Sequence, residues 1–343
     1  MAADVRLLLA LALAAALAGC ATTPPPAPTP SAAPVAAAVD DGPLLARDDD
    51  FAVVTVQPGD TLATLAQRYA GDASRAWWIA QFNNVATVRP GQVLVVPLRM
   101  RNPVGVQANG YQAVPILCYH RFGAKASKLN VTAAAFEAQM DYLARNGYTV
   151  IPLQRLARFL DGKEALPPKS VVVTIDDGYR STYEIAYPVL KKFGFPATVF
   201  LYTDFVGASD AMTWAQMKDM MAGGLVEIQP HSKSHANLTQ RLPGESDARY
   251  RERIRREVDA PIAALRERLA DASFTYAYPY GDVNEYVVDL LVKQNVAQGV
   301  TVTPGGNPFY AYPYMLRRSM VFGNEDLDAF KAKLVTFVRT ASR

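Results

Sequence analysis

From Ala113 onward the chain repeats one pattern: a short apolar run of strand length, then polar residues capable of chemistry, then a stretch with helical spacing. Residues 114–118 run into Tyr119-His120, 171–175 into Asp176-Asp177-Gly178, and 198–202 into Thr203-Asp204. Residues 225–229 run into Pro230-His231, and 274–278 into Pro279-Tyr280-Gly281. Short apolar runs alternating with helical patterns specify an α/β architecture with mostly parallel strands. In a parallel barrel the C-terminal strand ends converge on one face, so groups far apart in sequence meet in one site.

Composition sharpens this. The 343 residues contain 3 histidines, and all three would fall on that face. The 2 cysteines, Cys20 and Cys118, exclude a disulfide framework. With 35 Lys+Arg against 32 Asp+Glu, the net charge of +3 gives no field suited to a nucleic-acid partner.

Taken singly, each candidate has a bland reading. A lone histidine is usually a surface or satisfied core residue, and Asp176-Asp177-Gly178 is also a simple turn. His231 and His235, separated by three intervening residues, can meet one ion from a helical turn or tight loop, though this spacing alone is a weak signal. Asp177 is the natural third, charged ligand, leaving an open position for water. Asp176 projects differently and suits a general base. Cys118, in a strand before His120, reads as a buried small hydrophobe. Within 245–268, Ile254, Val258, Ile262 and Leu265 recur at helical spacing, which describes an amphipathic helix on the outside that needs no functional reading.

Together these motifs resemble the NodB-homology polysaccharide deacetylases, carbohydrate esterase family 4. Thr174-Ile175-Asp176-Asp177-Gly178 matches the first motif, His231-Ser232-Lys233-Ser234-His235 the second and Tyr278-Pro279-Tyr280-Gly281 the third. The resemblance implies a deformed (β/α) barrel over 113–343. It also implies a divalent metal, zinc first, on Asp177, His231 and His235. Asp176 would be the base, and the Tyr280 backbone N–H would face the oxyanion. No histidine follows His235, so the family's late acid is absent. Pro115-Ile116-Leu117-Cys118-Tyr119-His120 resembles the poly-N-acetylglucosamine deacetylase branch, which implies His120 as the acid. Ala277 stands where many members have an arginine that orients the base, and Arg318 is the candidate replacement; a solvated arginine is the alternative. Tyr179, Trp214, Tyr278 and Tyr314 are candidate sugar-stacking walls, although aromatics at strand ends are more often packing than ligand contacts, and no more than one of the four is expected to serve. The implied activity is hydrolysis of N-acetyl groups on an N-acetylglucosamine glycan. The alternatives are an O-acetyl esterase and a non-catalytic glycan-binding envelope protein.

Residues 51–98 read as strand, turn, two helices and strand, a β-α-α-β unit. Val56-Gln57-Pro58-Gly59-Asp60-Thr61-Leu62, with Asn84 and the run from Val88 through Pro97, resembles a LysM domain. That implies binding to peptidoglycan or chitin-like glycan through Gly59, Asp60, Thr61 and Asn84. At least one of Trp77 and Trp78 is expected in its core. Residues 7–18 form a Leu/Ala run after Arg6, too short to span a membrane at roughly 20 residues, and read as a signal segment. Its end, Leu17-Ala18-Gly19-Cys20, resembles the lipobox of bacterial lipoproteins. This implies lipidated Cys20, a membrane anchor and, with Ala21 following, an outer-membrane site facing the periplasm. The organisation expected is signal 1–19, Pro/Ala-rich tether 20–50, LysM 51–98, linker 99–112 and catalytic domain 113–343.

Overall fold

The computed structural model describes residues 44–99, 102–270 and 274–340. The signal segment, most of the tether and the lipidation candidate Cys20 lie outside these residues. Among the described residues no helix is long and apolar enough to cross a membrane.

The N-terminal module is a three-stranded antiparallel sheet, Leu44–Arg47, Phe51–Thr55 and Val93–Pro97, with helices Leu62–Ala70 and Ala76–Asn83. It begins inside the stretch expected as tether. Leu44 packs against the module core, and Oδ1 of Asp48 accepts from the N–H groups of Asp50 and Phe51, so an Asp-rich run that looks solvated is a turn. Alternation puts Ala52 and Val54 of the second strand inward onto Leu65, Ala66, Ile79 and Leu94. Thr61 caps the first helix: its Oγ1 accepts from Thr64 N–H while Thr64 Oγ1 accepts from Thr61 N–H. Trp77 and Trp78 are half-buried and stand outside this core, against expectation. They face a cavity of about 320 Å³ with Gln81, Phe82, Pro97, Arg99 and Asn102.

The stretch expected as a linker is partly folded. Val106–Gln107 turns back onto the first barrel strand, Gly110–Tyr119, which therefore starts before Ala113. The Asn102 side chain holds that turn through both the N–H and the carbonyl of Val106.

Gly110–Tyr119, Ser170–Ile175, Ala197–Leu201 and Val226–Pro230 form a parallel ladder, in register at Ile116↔Val172, Val199↔Ile175 and Leu201↔Pro230. Thr275–Ala277 and Gln298–Val300 make a second parallel pair, and Ser319–Met320 returns parallel to the first strand. Between Val226–Pro230 and Thr275–Ala277 no ladder pairs the backbones; the Gln229 side-chain carbonyl accepts from the N–H groups of Phe274 and Thr275 across the gap. The barrel is thus deformed, with a side chain standing in for missing main-chain pairing.

The strands are apolar on both faces because both are covered. Val114, Ile116, Val172, Phe200, Ala277, Val300 and Leu316 fill one core, inside the barrel. Leu117, Tyr119, Val173, Ile175, Val199 and Leu201 pack with Phe136, Met140, Leu190 and Met217 of the outer helices in another. Each buried Val, Leu, Ile, Phe or Met among them stabilises by roughly 1.5–3 kcal/mol. This parity places the chemistry: Cys118 and His120 follow Val114 and Ile116 inward, Thr174 and Asp176 follow Val172, and Arg318 follows Leu316.

Candidate active site

In an extended strand, neighbouring residues point to opposite faces, so Asp176 and Asp177 should diverge. They meet at one site because Asp177 turns into the left-handed region at φ +76°. Gly178 follows at φ +81°, where a Cβ would collide with Leu201. Four of the eight non-glycine left-handed residues among those described belong to this site: Asp177, Ser232, His235 and Tyr280. Each costs on the order of 1–3 kcal/mol, a strain concentrated where side chains must converge.

Asp177, His231 and His235 bring one donor atom each within 4.8 Å of one another. Oδ1 of Asp177 lies 3.3 Å from Nε2 of His235 and 3.6 Å from Nε2 of His231. That oxygen is buried without a hydrogen-bond partner among the described residues. Donors around a four-coordinate ion at about 2.0–2.1 Å stand about 3.3–3.4 Å apart, so both the spacing and the orphaned oxygen fit a divalent ion. Nδ1 of His231 is 2.8 Å from the carbonyl of Ala277, an acceptor, so Nδ1 carries the proton and Nε2 keeps its lone pair for the site. The residue where an arginine was expected thus acts through its backbone.

Electrostatics separate the two histidines. Burial lowers the pKa of His231. Burial also works against charge on His235, but the Asp177 carboxylate offsets this and raises it. Asp177 itself is penalised by burial, yet His235 and His231 hold its carboxyl below the usual range.

Asp176 and Arg318 form a buried two-pronged pair, Nη1 to Oδ1 at 2.6 Å and Nη2 to Oδ2 at 2.8 Å. Arg318 is fully buried, so the solvated alternative does not hold. It also donates to the Thr301 carbonyl at 2.9 Å and to Thr174 Oγ1 at 3.2 Å. Burial opposes charge on Asp176, but the guanidinium outweighs it and holds the carboxyl well below the carboxylate range. Cys118 is buried as expected, but it is not a bystander: its thiol donates to Oδ2 of Asp176 at 3.4 Å. Burial pushes that thiol well up, so it stays neutral. His120, half-buried, places a ring nitrogen within 4.8 Å of both the Cys118 sulfur and an Asp176 oxygen.

Tyr280 stands at φ +63°, its exposed ring 4.9 Å from that of His235. Tyr202 flanks His235 at 5.3 Å. Of the four candidate aromatic walls, Tyr278 is buried with its hydroxyl on the Tyr314 carbonyl, Tyr314 donates to Val296, and Trp214 packs on the outer core. These three are packing residues; Tyr179 lies beneath the Arg121 guanidinium at 4.2 Å. Sequence reasoning missed Tyr202 and also Glu257, a carboxylate on the charged helix that the structure turns toward the metal loop. A signal for Glu257 was present: it sits on the apolar stripe of Ile254, Val258 and Ile262, where a charge is out of place.

In the N-terminal module, Gly59, Thr61 and Asn84 are exposed. The Asp60 carboxylate turns inward, accepting from Gln57 N–H at 2.8 Å and pairing with Arg68 at 2.9 Å. It holds the loop's shape.

Comparison with known proteins accords with this geometry. Residues 163–299 match the polysaccharide deacetylase family model and residues 54–97 match the LysM domain. The first span contains Asp176, Asp177, His231, His235 and Tyr280, whereas His120 and Arg318 lie outside it. The Bacillus subtilis protein YxkH, named as a polysaccharide deacetylase, is 31% identical over 220 residues, 64% of this chain and 75% of that one. A poly-β-1,6-N-acetyl-D-glucosamine N-deacetylase of Escherichia coli is 24% identical over 66% of this chain, which spans 39% of that protein's length. Among solved structures, IcaB from Ammonifex degensii aligns at TM-score 0.56 and 29% identity, over 62% of this chain and 93% of that one. The Streptococcus pyogenes deacetylase PplD, solved with acetate, aligns at 0.58 and 25%, over 65% and 98%.

Proposed function

Because the chain belongs to the polysaccharide deacetylase family, we propose that it hydrolyses N-acetyl groups of an N-acetylglucosamine polymer, releasing acetate and leaving free amines. The observation that carries this reading is the assembly on one barrel face of an ion-sized donor triad, a carboxylate locked by a buried arginine, and a third imidazole beside it.

A divalent ion, zinc by its match to two imidazoles and one carboxylate, would be held by Asp177, His231 and His235 and supply Lewis acidity to the acetamide carbonyl and to water. Asp176 takes the proton of the attacking water; Arg318 fixes its plane and keeps it ionised. The backbone N–H of Tyr280 bonds the carbonyl oxygen as it gains charge. As the C–N bond breaks, His120 gives a proton to the departing amine, so the proton taken by Asp176 balances the one His120 delivers. Cys118 has no covalent role, since its thiol is neutral and fully buried.

The LysM module would hold the same class of glycan through its exposed Gly59, Thr61 and Asn84, keeping enzyme and polymer together. Lipidated Cys20 and a tether would place both at the cell envelope, on the periplasmic side of an outer membrane.

The test is acetate release from poly-N-acetylglucosamine, chitooligosaccharide, peptidoglycan and an O-acetylated glycan, each with chelated and zinc-restored protein. Metal-dependent acetate release from an N-acetylated glycan is expected. Release from the O-acetylated glycan alone would reassign the protein as an esterase, and release from none would sink the enzymatic reading.

A further inference from the structure

We infer that Glu257 is a positioning residue that presets the metal-binding loop, a proposal that rests on the metal site proposed above. The loop from His231 to His235 has two left-handed non-glycine residues, Ser232 at φ +72° and His235 at φ +61°. A chain held this way relaxes unless its surroundings fix it. Part of the fixing is internal, since Ser232 Oγ accepts from His235 N–H at 2.8 Å. Part comes from the neighbouring strand end, where Asp204 N–H donates to the Lys233 carbonyl at 2.9 Å and the Lys233 ammonium pairs with the Asp204 carboxylate.

A further tie comes from the charged helix. Glu257 lies on helix Asp247–Leu269 and is 6% exposed. Its Oε2 accepts from the N–H groups of Lys233 at 3.1 Å and Ser234 at 2.8 Å, and its Oε1 accepts from the Ser234 hydroxyl at 2.7 Å. One buried carboxylate therefore takes three hydrogen bonds from the middle of the loop that carries both imidazoles, and charge-assisted bonds of this kind are short and strong. A helix placed for packing alone would present an apolar side chain here, as it does at Ile254, Val258 and Ile262. Glu257 is itself anchored, because the Tyr276 hydroxyl donates to its backbone carbonyl at 3.1 Å, and Tyr276 lies in the strand whose Ala277 carbonyl orients His231. Helix, strand and loop form one rigid frame around the ligands. Without the carboxylate, the loop must be ordered by the ion itself, which weakens binding.

The test reads metal affinity by competition with a chelating indicator, without turnover. Glu257→Leu keeps the side chain's bulk and removes its three acceptor contacts. Its zinc affinity should fall about 10–100-fold, the usual effect of losing a partner of a metal ligand shell. Glu257→Gln, which can still accept from both N–H groups and donate to the Ser234 hydroxyl, should recover much of the loss. A Leu variant that binds zinc as tightly as the unaltered protein overturns the proposal. Should Glu257→Leu not fold, hydrogen exchange of the unaltered, metal-free protein decides. The Lys233 and Ser234 amides should then exchange at least about tenfold slower than in an unstructured chain; unprotected exchange there overturns the proposal. If the unaltered protein takes up no metal, the metal-site reading fails instead, so the two failures are distinguishable.

Discussion

Replacing Arg318 by alanine removes two contacts to Asp176, at 2.6 and 2.8 Å, and the donors to Thr301 and Thr174. Both members of the ion pair are almost wholly buried, at 0% and 2% side-chain exposure, so water does not replace the guanidinium. An uncompensated buried charge costs about 3–5 kcal/mol. The chain avoids part of this cost if Asp176 takes a proton, because burial alone raises a carboxyl by up to about 3–5 units. The sign then follows. In the unaltered protein Asp176 is held well below its usual range and is ionised at any working pH. In Arg318→Ala it should titrate upward, leaving the base occupied at neutral pH. Acetate release should drop by about 10²–10⁴-fold near pH 7 and recover by about tenfold per unit as pH rises toward the new pKa. Urea unfolding should show the loss in stability, and the Asp176→Asn/Arg318→Met double variant should be more stable than Arg318→Ala while remaining inactive. Stability within about 0.5 kcal/mol of the unaltered protein, together with a superimposable pH–rate profile, would refute the reasoning.

His120→Gln should lower kcat by about 10²–10⁴-fold with zinc content unchanged, and substrates carrying a better leaving group should suffer less; equal loss for all leaving groups would remove His120 as the acid. Because Asp177 outweighs burial and raises the pKa of His235, that imidazole keeps its proton to higher pH than usual in the metal-free chain. Zinc affinity by chelator competition should therefore weaken as pH falls, beginning above about 6.5; onset only below that value contradicts the shift. Gly178→Ala should lose both stability and metal, since the added Cβ meets Leu201 at a position with φ +81°; a thermally unaltered variant would argue against that contact.

Much of the barrel is legible in sequence because its strands, covered on both faces, read as unbroken apolar runs, and because inward parity carries Cys118, His120, Asp176 and Arg318 toward one axis. Arg318 could be nominated from the missing arginine at Ala277, but not its two-pronged contact, which depends on a return strand only two residues long, Ser319–Met320. Leu44–Arg47 and Val106–Gln107 were unreadable for the same reason: strands this short carry no periodicity and form because a partner edge is present. The left-handed turns at Asp177, Ser232, His235 and Tyr280 leave no compositional mark, since none is glycine. Which role Tyr278 and Tyr314 play is not legible in sequence, because an aromatic at a strand end looks the same whether its hydroxyl faces sugar or, as here, a backbone carbonyl.

The central claim is that Asp176 acts as base beside a metal it does not hold. Asp176→Asn, purified with zinc, should lose acetate release from an N-acetylglucosamine oligomer by about 10²–10⁴-fold while its zinc content equals that of the unaltered protein. Undiminished acetate release from that variant, or loss of its zinc, would contradict the account.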